Sequence, residues 1–399
     1  MDGVSGTTLP DAAWQHRAGL ARLAEVLGAD RGEARFVGGA VRDTLLGLDA
    51  HDIDLATIHA PGEVVRRLEA AGIKAVPTGI AHGTVTAVSA GTVVEVTTLR
   101  RDVSTDGRHA IVAYTDDWRE DAARRDFTMN ALYADPASGA VFDWFGGLAD
   151  LAAGRVRFIG DPYSRIAEDH LRILRFFRFH ARFGERVDAE GLAACVARAN
   201  DLMALSRERV AAELTRLLVA RSAVPVVALM EAEGIFRPIV PEIDAAGVAR
   251  LRALAEREAA AGIAPDAIRR LAALLPADAA ESVGARLKLS NADRKRLVLA
   301  TAGAGDEGAR GLAYRCGIDV ARDRLLVAGA NVADLNDWIT PRLPVGGGDL
   351  VARGLGKGPL VARTLKRIET RWIAENFPDA DRAAAIADEE VAAALTDAD

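Results

Sequence analysis

The chain has 399 residues, half of them hydrophobic and 27% charged, with 57 Asp and Glu against 50 Lys and Arg for a formal charge of −7. That length exceeds one ordinary core and implies two or more domains of a soluble globular protein. No apolar stretch approaches the ~20 residues of a membrane span, and an acidic balance excludes nucleic-acid binding by overall charge, so any RNA contact needs locally concentrated cations.

Residues 11–28 read as an amphipathic helix with Leu20, Leu23, Ala24 and Leu27 on one stripe. The run Arg35-Phe36-Val37 stops at Gly38-Gly39 and leads into helical residues 41–46, giving strand, glycine turn, helix. His51 to Thr57 alternates with period 2, as a strand with one polar and one apolar face does. Residues 62–71 look helical. Two β-branched runs, 84–88 and 92–98, flank a Ser-Ala-Gly connection and predict a hairpin. Residues 100–113 are polar and contain glycine, which predicts a mobile loop, and strand-like pieces return at 132–134 and 141–143.

From about residue 164 helical Ala-, Leu- and Arg-rich patterns continue to the end. They break at Pro225, Pro238, Pro241, Pro265, Pro276 and residues 346–358, with a frayed or solvated helix end from about 378. Cys195 and Cys316 are far apart and have no CxxC or Cys/His neighbour, so neither a zinc site nor a disulfide framework is expected. With no signal pattern at the N-terminus, a reducing cytoplasm is the expected setting and no membrane partner is implied.

Asp52-Ile53-Asp54 is the first candidate for chemistry. On a strand, residues i and i+2 share a face, so both carboxylates converge while Ile53 points to the core. Convergent carboxylates suit hard divalent cations such as Mg²⁺, and two such ions can activate a hydroxyl and stabilise leaving pyrophosphate. A DxD alone more often decorates a surface. Gly38-Gly39 and Arg42, about ten residues earlier, change that reading: a glycine turn at a helix start lets backbone N–H groups approach phosphate, and arginine adds a bidentate contact. Glu95 on the hairpin is a possible third carboxylate, an outward-facing strand residue being the equal alternative. Arg124-Arg125-Asp126 and Asn130 offer guanidiniums for triphosphate and hydrogen-bonding groups for ribose. Between Arg165 and Arg178 a continuous helix would put Ile166, Ile173, Leu174 and Phe177 on one side. Glu168, Asp169, Arg172, Arg175 and Arg178 would take the other, where a carboxylate and a guanidinium three residues apart can read a nucleobase edge.

Taken in order, Phe36 to Asp43, His51 to Thr57, Arg124 to Ala131 and Glu168 to Arg172 resemble the motifs of class II CCA-adding enzymes and bacterial poly(A) polymerases, within the polymerase-β-like nucleotidyltransferases. The likeness extends to His82-Gly83-Thr84, Asp106 to His109, Ser206 to Arg209, Gly348 to Leu350 and Gly358-Pro359. The resemblance implies an α+β fold: a nucleotidyltransferase head with a small mixed β-sheet and flanking helices over residues 1–160, a helical neck for nucleotide selection over 161–220, and an all-α body and tail for tRNA over 221–399. It implies Asp52 and Asp54 as the catalytic, Mg²⁺-binding pair. Gly39, Arg42 and Arg125 would contact the nucleotide, Asp169 and Arg172 would read the base of CTP or ATP, and Arg175 and Arg178 would line the same site. The loop near residues 100–113 would take part in the switch from CTP to ATP. The implied function is template-independent transfer of CMP and AMP to the tRNA 3′ end. Poly(A) tailing, addition of only C or only A, and a non-catalytic RNA-binding protein are the alternatives. The acidic end, Thr396 to Asp399, and a body that is not notably basic favour tRNA over unspecific RNA.

Overall fold

A computed structural model describes residues 3–80, 83–106 and 109–396. The chain divides into two compact units, Met1–Ile239 and Val240–Asp399.

Among the described residues the first unit holds ten strands: β1 (Val4–Thr8), β2 (Ala34–Val37), β3 (Asp54–Thr57), β4 (Lys74–Gly79), β5 (Thr84–Ser89), β6 (Thr92–Thr98), β7 (Arg100–Asp106), β8 (His109–Tyr114), β9 (Tyr133–Ala134) and β10 (Ala140–Phe142). Eight form one mixed sheet in the order β1-β10-β9-β2-β3-β6-β5-β4, while β7 and β8 pair separately. The expected hairpin is β5–β6, closed by Ala90 and Gly91, both at positive φ as a tight two-residue turn requires. Residues in β6 alternate buried and exposed, with Val94 and Val96 inward and Val93 and Glu95 outward. β3 is central, with Leu55, Ala56 and Thr57 all buried, and it runs parallel to β6 with Asp54 level with Glu95.

Helices α1 (Leu20–Val26), α2 (Gly39–Leu45), α3 (Pro61–Ala70), α4 (Trp118–Ala123) and α5 (Gly147–Ala152) accompany the sheet; α6 (Pro162–Glu168), α7 (Leu171–Phe183), α8 (Ala189–Ala197), α9 (Arg207–Leu218) and α10 (Ala223–Ala232) follow. Phe176 and Phe179 of α7 do not lie on a solvated face. Both are buried, packed on Phe127, and Phe176 also stacks on Phe158.

Five expectations need correction. Residues 11–28 form a short 3-10 turn and then α1, because Gly19 adopts φ 78° and ends any continuous helix. Arg100–Asp106 and His109–Tyr114 pair antiparallel as β7 and β8 where an irregular loop is expected, because main-chain hydrogen bonds can hold such a pair whatever its side-chain pattern; residues 107 and 108 of that expected loop lie outside the described residues. The helix expected across 165–178 breaks at Asp169, whose φ −151° and ψ 106° are extended. Pro225 interrupts nothing, since it sits in the first turn of α10, where no N–H is needed. The C-terminal stretch is also not a loose end, as the second unit shows.

That unit is all helical: α11 (Ala245–Ala260), α12 (Ala267–Leu274), α13 (Ala280–Arg286), α14 (Asn291–Ala300), α15 (Gly308–Cys316), α16 (Ile318–Ala328), α17 (Gly347–Ala352), α18 (Pro359–Ala374) and α19 (Ala380–Thr396). α19 packs on α18 through Ala383, Ile386, Ala387, Val391 and Ala394, which join Trp372 and Ile368 in one core. Between α11, α12, α14 and α16 lies an ion network: Arg269 meets Glu258 at 2.7 Å and Asp323 at 3.1 Å, Arg270 meets Glu258 at 2.8 Å, and Arg296 meets Asp323 at 2.6 Å. Glu258, Asp323, Arg269 and Arg270 are all buried. Removing one carboxylate strands buried guanidiniums, so Glu258→Ala should cost this unit about 3–4 kcal/mol in denaturant unfolding. A loss under about 1 kcal/mol would show that the network carries little.

Candidate active site

Gly38 ends β2 at φ 70° and ψ −121°, a conformation closed to residues with a side chain, and so turns the chain straight into α2. Arg42, on the first turns of α2, is buried. It donates from Nε to Asp43 at 2.8 Å and to the Asn130 side-chain oxygen, and its guanidinium stacks on Phe183 at 4.3 Å. Asp43 in turn accepts Arg182 of α7 at 3.0 Å, tying the glycine turn to that helix.

Asp54 opens β3, while Asp52 lies exposed just before it and Ile53 is buried, as the alternation predicts. Arg17 holds this approach by donating to the Ala50 and His51 carbonyls at 3.2 and 3.1 Å. Burial, then the charge of Glu95, and more weakly that of Asp52, push the Asp54 carboxyl up to about 6, against an opposing pull from Arg125. A half-buried carboxylate held beside other carboxylates has the chemistry of a divalent-cation ligand. Among the described residues no group of three or more His, Cys, Asp or Glu gathers into a closed metal cage.

The stretch after α4 is anchored by buried Asp121. It accepts Arg124 at 2.9 Å, Arg125 at 3.1 Å and the Tyr133 hydroxyl. Burial alone would raise this carboxyl, but Arg125 and Arg124 outweigh it and hold it at about 2. Asp126 is buried too, and its oxygens are already engaged: one accepts Asn130 at 2.9 Å and the Phe127 N–H at 2.8 Å, the other accepts Arg175 Nε at 2.7 Å. Burial pushes the Asp126 carboxyl up, and Arg175 with Asn130 more than reverses that. Asp126 therefore acts on its surroundings through Arg175 and Asn130.

On the facing helices, Asp169 accepts Arg209 of α9 at 2.8 Å and sits at the α6–α7 break. Arg172 donates to Glu168 at 2.5 Å, to the Arg165 carbonyl at 2.7 Å and to the Arg124 carbonyl at 3.2 Å. Asp169 and Arg172 thus lie together but are held by different partners. Buried Glu213 of α9 holds Arg178, and the Phe179 ring lies 4.3 Å from the Arg178 guanidinium.

These elements enclose one cleft of about 510 Å³. Gly39, Arg42, Asp54, Arg125, Asp126, Asn130, Asp169, Arg172, Arg175 and Arg178, all singled out in the sequence, line it. Asp52 and Glu95 are not among its lining residues; both reach it through their charge on Asp54. Gly38 and Arg124, both read from the sequence as phosphate-facing, line it too, whereas Leu171, Phe179 and Arg209 were missed as lining residues. Phe179 had a signal in its place amid arginines; Arg209, 40 residues from Asp169, had only the Ser206–Arg209 likeness. Seven arginines face three aspartates here, in a chain of net charge −7. Such a lining suits a polyphosphate with cation-binding carboxylates at its edge.

A head of this topology with such a cleft defines a nucleotidyltransferase. Residues 34–157 match the model of the Poly A polymerase head domain, and residues 186–246 match that of the probable RNA and SrmB-binding site of polymerase A. The chain is 33% identical over 381 residues to the mitochondrial CCA tRNA nucleotidyltransferase 1 of Mus musculus, covering 89% of this chain and 86% of the relative. It is 42% identical over 192 residues to the CCA-adding enzyme of Levilactobacillus brevis, covering 48% of this chain and 47% of that one. Among solved structures, the Bacillus stearothermophilus CCA-adding enzyme in complex with CTP aligns with a TM-score of 0.71 at 27% identity, over 89% of this chain and 92% of that chain. The chain belongs to the CCA-adding tRNA nucleotidyltransferase family.

Proposed function

We propose that this chain rebuilds the CCA end of tRNA, transferring CMP and then AMP from CTP and ATP without a nucleic-acid template. The observation that carries the reading is the single cleft in which Asp54, the arginine lining and the Asp169–Arg172 pair meet. The terminal hydroxyl of the tRNA attacks the α-phosphorus, the bond to the bridging oxygen breaks, and pyrophosphate leaves with the hydroxyl proton passed to solvent. Asp52 and Asp54 would hold Mg²⁺, which in a two-metal arrangement supplies an activated hydroxyl and charge neutralisation at the leaving group. Arg42 and Arg125, fixed by Asp43, Asn130 and Asp121, bind the triphosphate. Asp169 and Arg172 offer an acceptor and donors to the base.

Residues 1–160 act as the head, 161–220 as the neck and 221–399 as the body and tail that hold tRNA; a first compact unit running through Ile239 supports grouping head with neck. Among the described residues no helix is long and apolar enough to cross a membrane. A cytoplasmic setting is part of the proposal, and fractionation against the mitochondrial location in the mouse relative's name tests it.

Given Mg²⁺, all four nucleoside triphosphates and a tRNA lacking its last three nucleotides, 3′-end sequencing should read CCA and then stop. Long A tracts on unrelated RNA would instead mark a poly(A) polymerase, and C alone or A alone a partial enzyme. Asp126→Ala should raise KM for CTP and ATP about 10- to 100-fold with a smaller fall in kcat, because Arg175 and Asn130 lose their anchor. An unchanged KM would count against that role.

A further inference from the structure

Arg165 of α6 is buried, yet it is not among the residues that line the cleft. One terminal nitrogen of its guanidinium donates to the Glu168 carboxylate. The other donates to the Arg124 and Arg125 carbonyls, where the chain leaves α4. Carbonyls at a helix end lack partners within the helix, and a cation there also meets the negative end of the helix dipole. Glu168 is shared, because the same oxygen, Oε2, accepts Arg172 at 2.5 Å. Arg172 closes the knot by donating to the Arg165 carbonyl at 2.7 Å and to the Arg124 carbonyl at 3.2 Å.

Arg125 and Arg172 both line the cleft, but they stand on different elements far apart in the chain, so no local structure sets the distance between them. Arg125 has its side chain fixed by Asp121 at 3.1 Å and its carbonyl fixed by Arg165. Arg172 has its guanidinium fixed by Glu168, which Arg165 holds in turn. One buried cation therefore touches both the main chain that carries Arg125 and the carboxylate that aims Arg172. Capping α4 alone would not need the carboxylate that Arg172 shares. A nucleoside triphosphate has a limited reach from its phosphates to the edge of its base, and groups that grip both ends work only if their spacing holds to within about 0.5 Å.

We propose that Arg165 is a positioning residue that sets the spacing between the triphosphate grip and the base-reading pair, resting on the function proposed above. It acts through Glu168 and Arg172 on one side and through the Arg125 main chain on the other, and it touches no nucleotide itself. Lysine in its place would keep the charge but bring a single nitrogen, which cannot span a carboxylate and two carbonyls as the fixed fork of a guanidinium does.

The test is equilibrium binding of CTP, ATP, UTP, GTP and tripolyphosphate to the full chain, with Tm measured alongside. Arg165→Lys should weaken CTP and ATP about tenfold or more and narrow their margin over UTP and GTP by a similar factor. Tripolyphosphate, which has the phosphates and no base, should bind within about twofold of the parent, because Asp121 still holds the Arg125 guanidinium. Glu168→Gln removes the shared charge while leaving Arg165 in place, and it should give the same pattern even where Arg165→Lys fails to fold. In an Arg172→Ala background, Arg165→Lys should narrow the margin by less than about twofold further, since its effect passes through Arg172. A parallel loss of tripolyphosphate and CTP would mark Arg165 as a support of the fold only and overturn the proposal. Losses that multiply in full with those of Arg172→Ala would overturn it as well. If the parent binds all four triphosphates alike, the proposed base reading and the positioning role both fail. If the parent has a margin that both variants keep, only the positioning role fails.

Discussion

Asp54→Asn should lose nucleotide transfer by about 10⁴-fold or more and, in metal-free solution near neutral pH, should fold more stably than the parent. Both results follow from one environment. Burial and the neighbouring charges of Glu95 and Asp52 raise the Asp54 carboxyl from 3.8 to about 6. A group whose folded value lies above its unfolded value favours the fold most below the unfolded value, and that favour is lost as pH rises through 6. At pH 7.5 the ionised carboxylate therefore strains the metal-free fold, by an upper bound of about 3 kcal/mol for a shift of about two units. Asparagine removes the charge, and thermal unfolding should show a gain of about 1–3 kcal/mol that disappears between pH 6 and pH 4. Added Mg²⁺ should stabilise the parent and not the variant. On the proposed function, the loss of transfer would follow from removing a cation ligand at the reacting phosphate, where a fixed charge is worth several kcal/mol. A variant that keeps activity within tenfold, or that is less stable than the parent at pH 7.5, would contradict this picture.

Asp169→Ala/Arg172→Ala should retain the capacity to transfer while losing the choice of nucleotide. Hydrogen-bonding sites reject wrong partners strongly because a mismatched base leaves buried polar groups unpaired, and discrimination of 10⁴ is within reach of two such groups. The preference for CTP and ATP over GTP and UTP, measured as ratios of kcat/KM, should fall by about 10³- to 10⁴-fold. Both groups keep partners in the protein, Asp169 on Arg209 and Arg172 on Glu168. Truncation therefore also frees those partners, and Arg209→Ala should lower discrimination more mildly. Unchanged ratios in the double variant would remove these two residues from base recognition.

The head was legible where function rests on short spacings. The turn at Gly38-Gly39, the alternation around Ile53 and the β5–β6 hairpin each depend on residues within about fifteen positions of one another, and all three stand where expected. The register of β3 against β6, which sets Glu95 level with Asp54, is a non-local pairing that no local pattern reports. The break at Asp169 was hidden because apolar spacing continues from Ile166 into Ile173 across a backbone kink. Asp126 looked like a ligand group because its residue type suits ribose; only the fold shows its oxygens taken by Arg175 and Asn130. The last helix looked solvated because its buried stripe is mostly alanine, which carries a weak apolar signal until α18 is placed against it.

The central claim is a division of labour within one cleft: carboxylates at the start of β3 drive transfer, and the pair at the α6–α7 break chooses the nucleotide. The most direct test is single-turnover transfer to a tRNA lacking its last nucleotide, with all four triphosphates competing, run side by side on the parent, Asp54→Asn and Asp169→Ala/Arg172→Ala. The expected result is A alone from the parent, no detectable product from Asp54→Asn, and mixed bases at a retained rate from the double variant. Transfer surviving in Asp54→Asn, or a double variant that still adds only A, would contradict it.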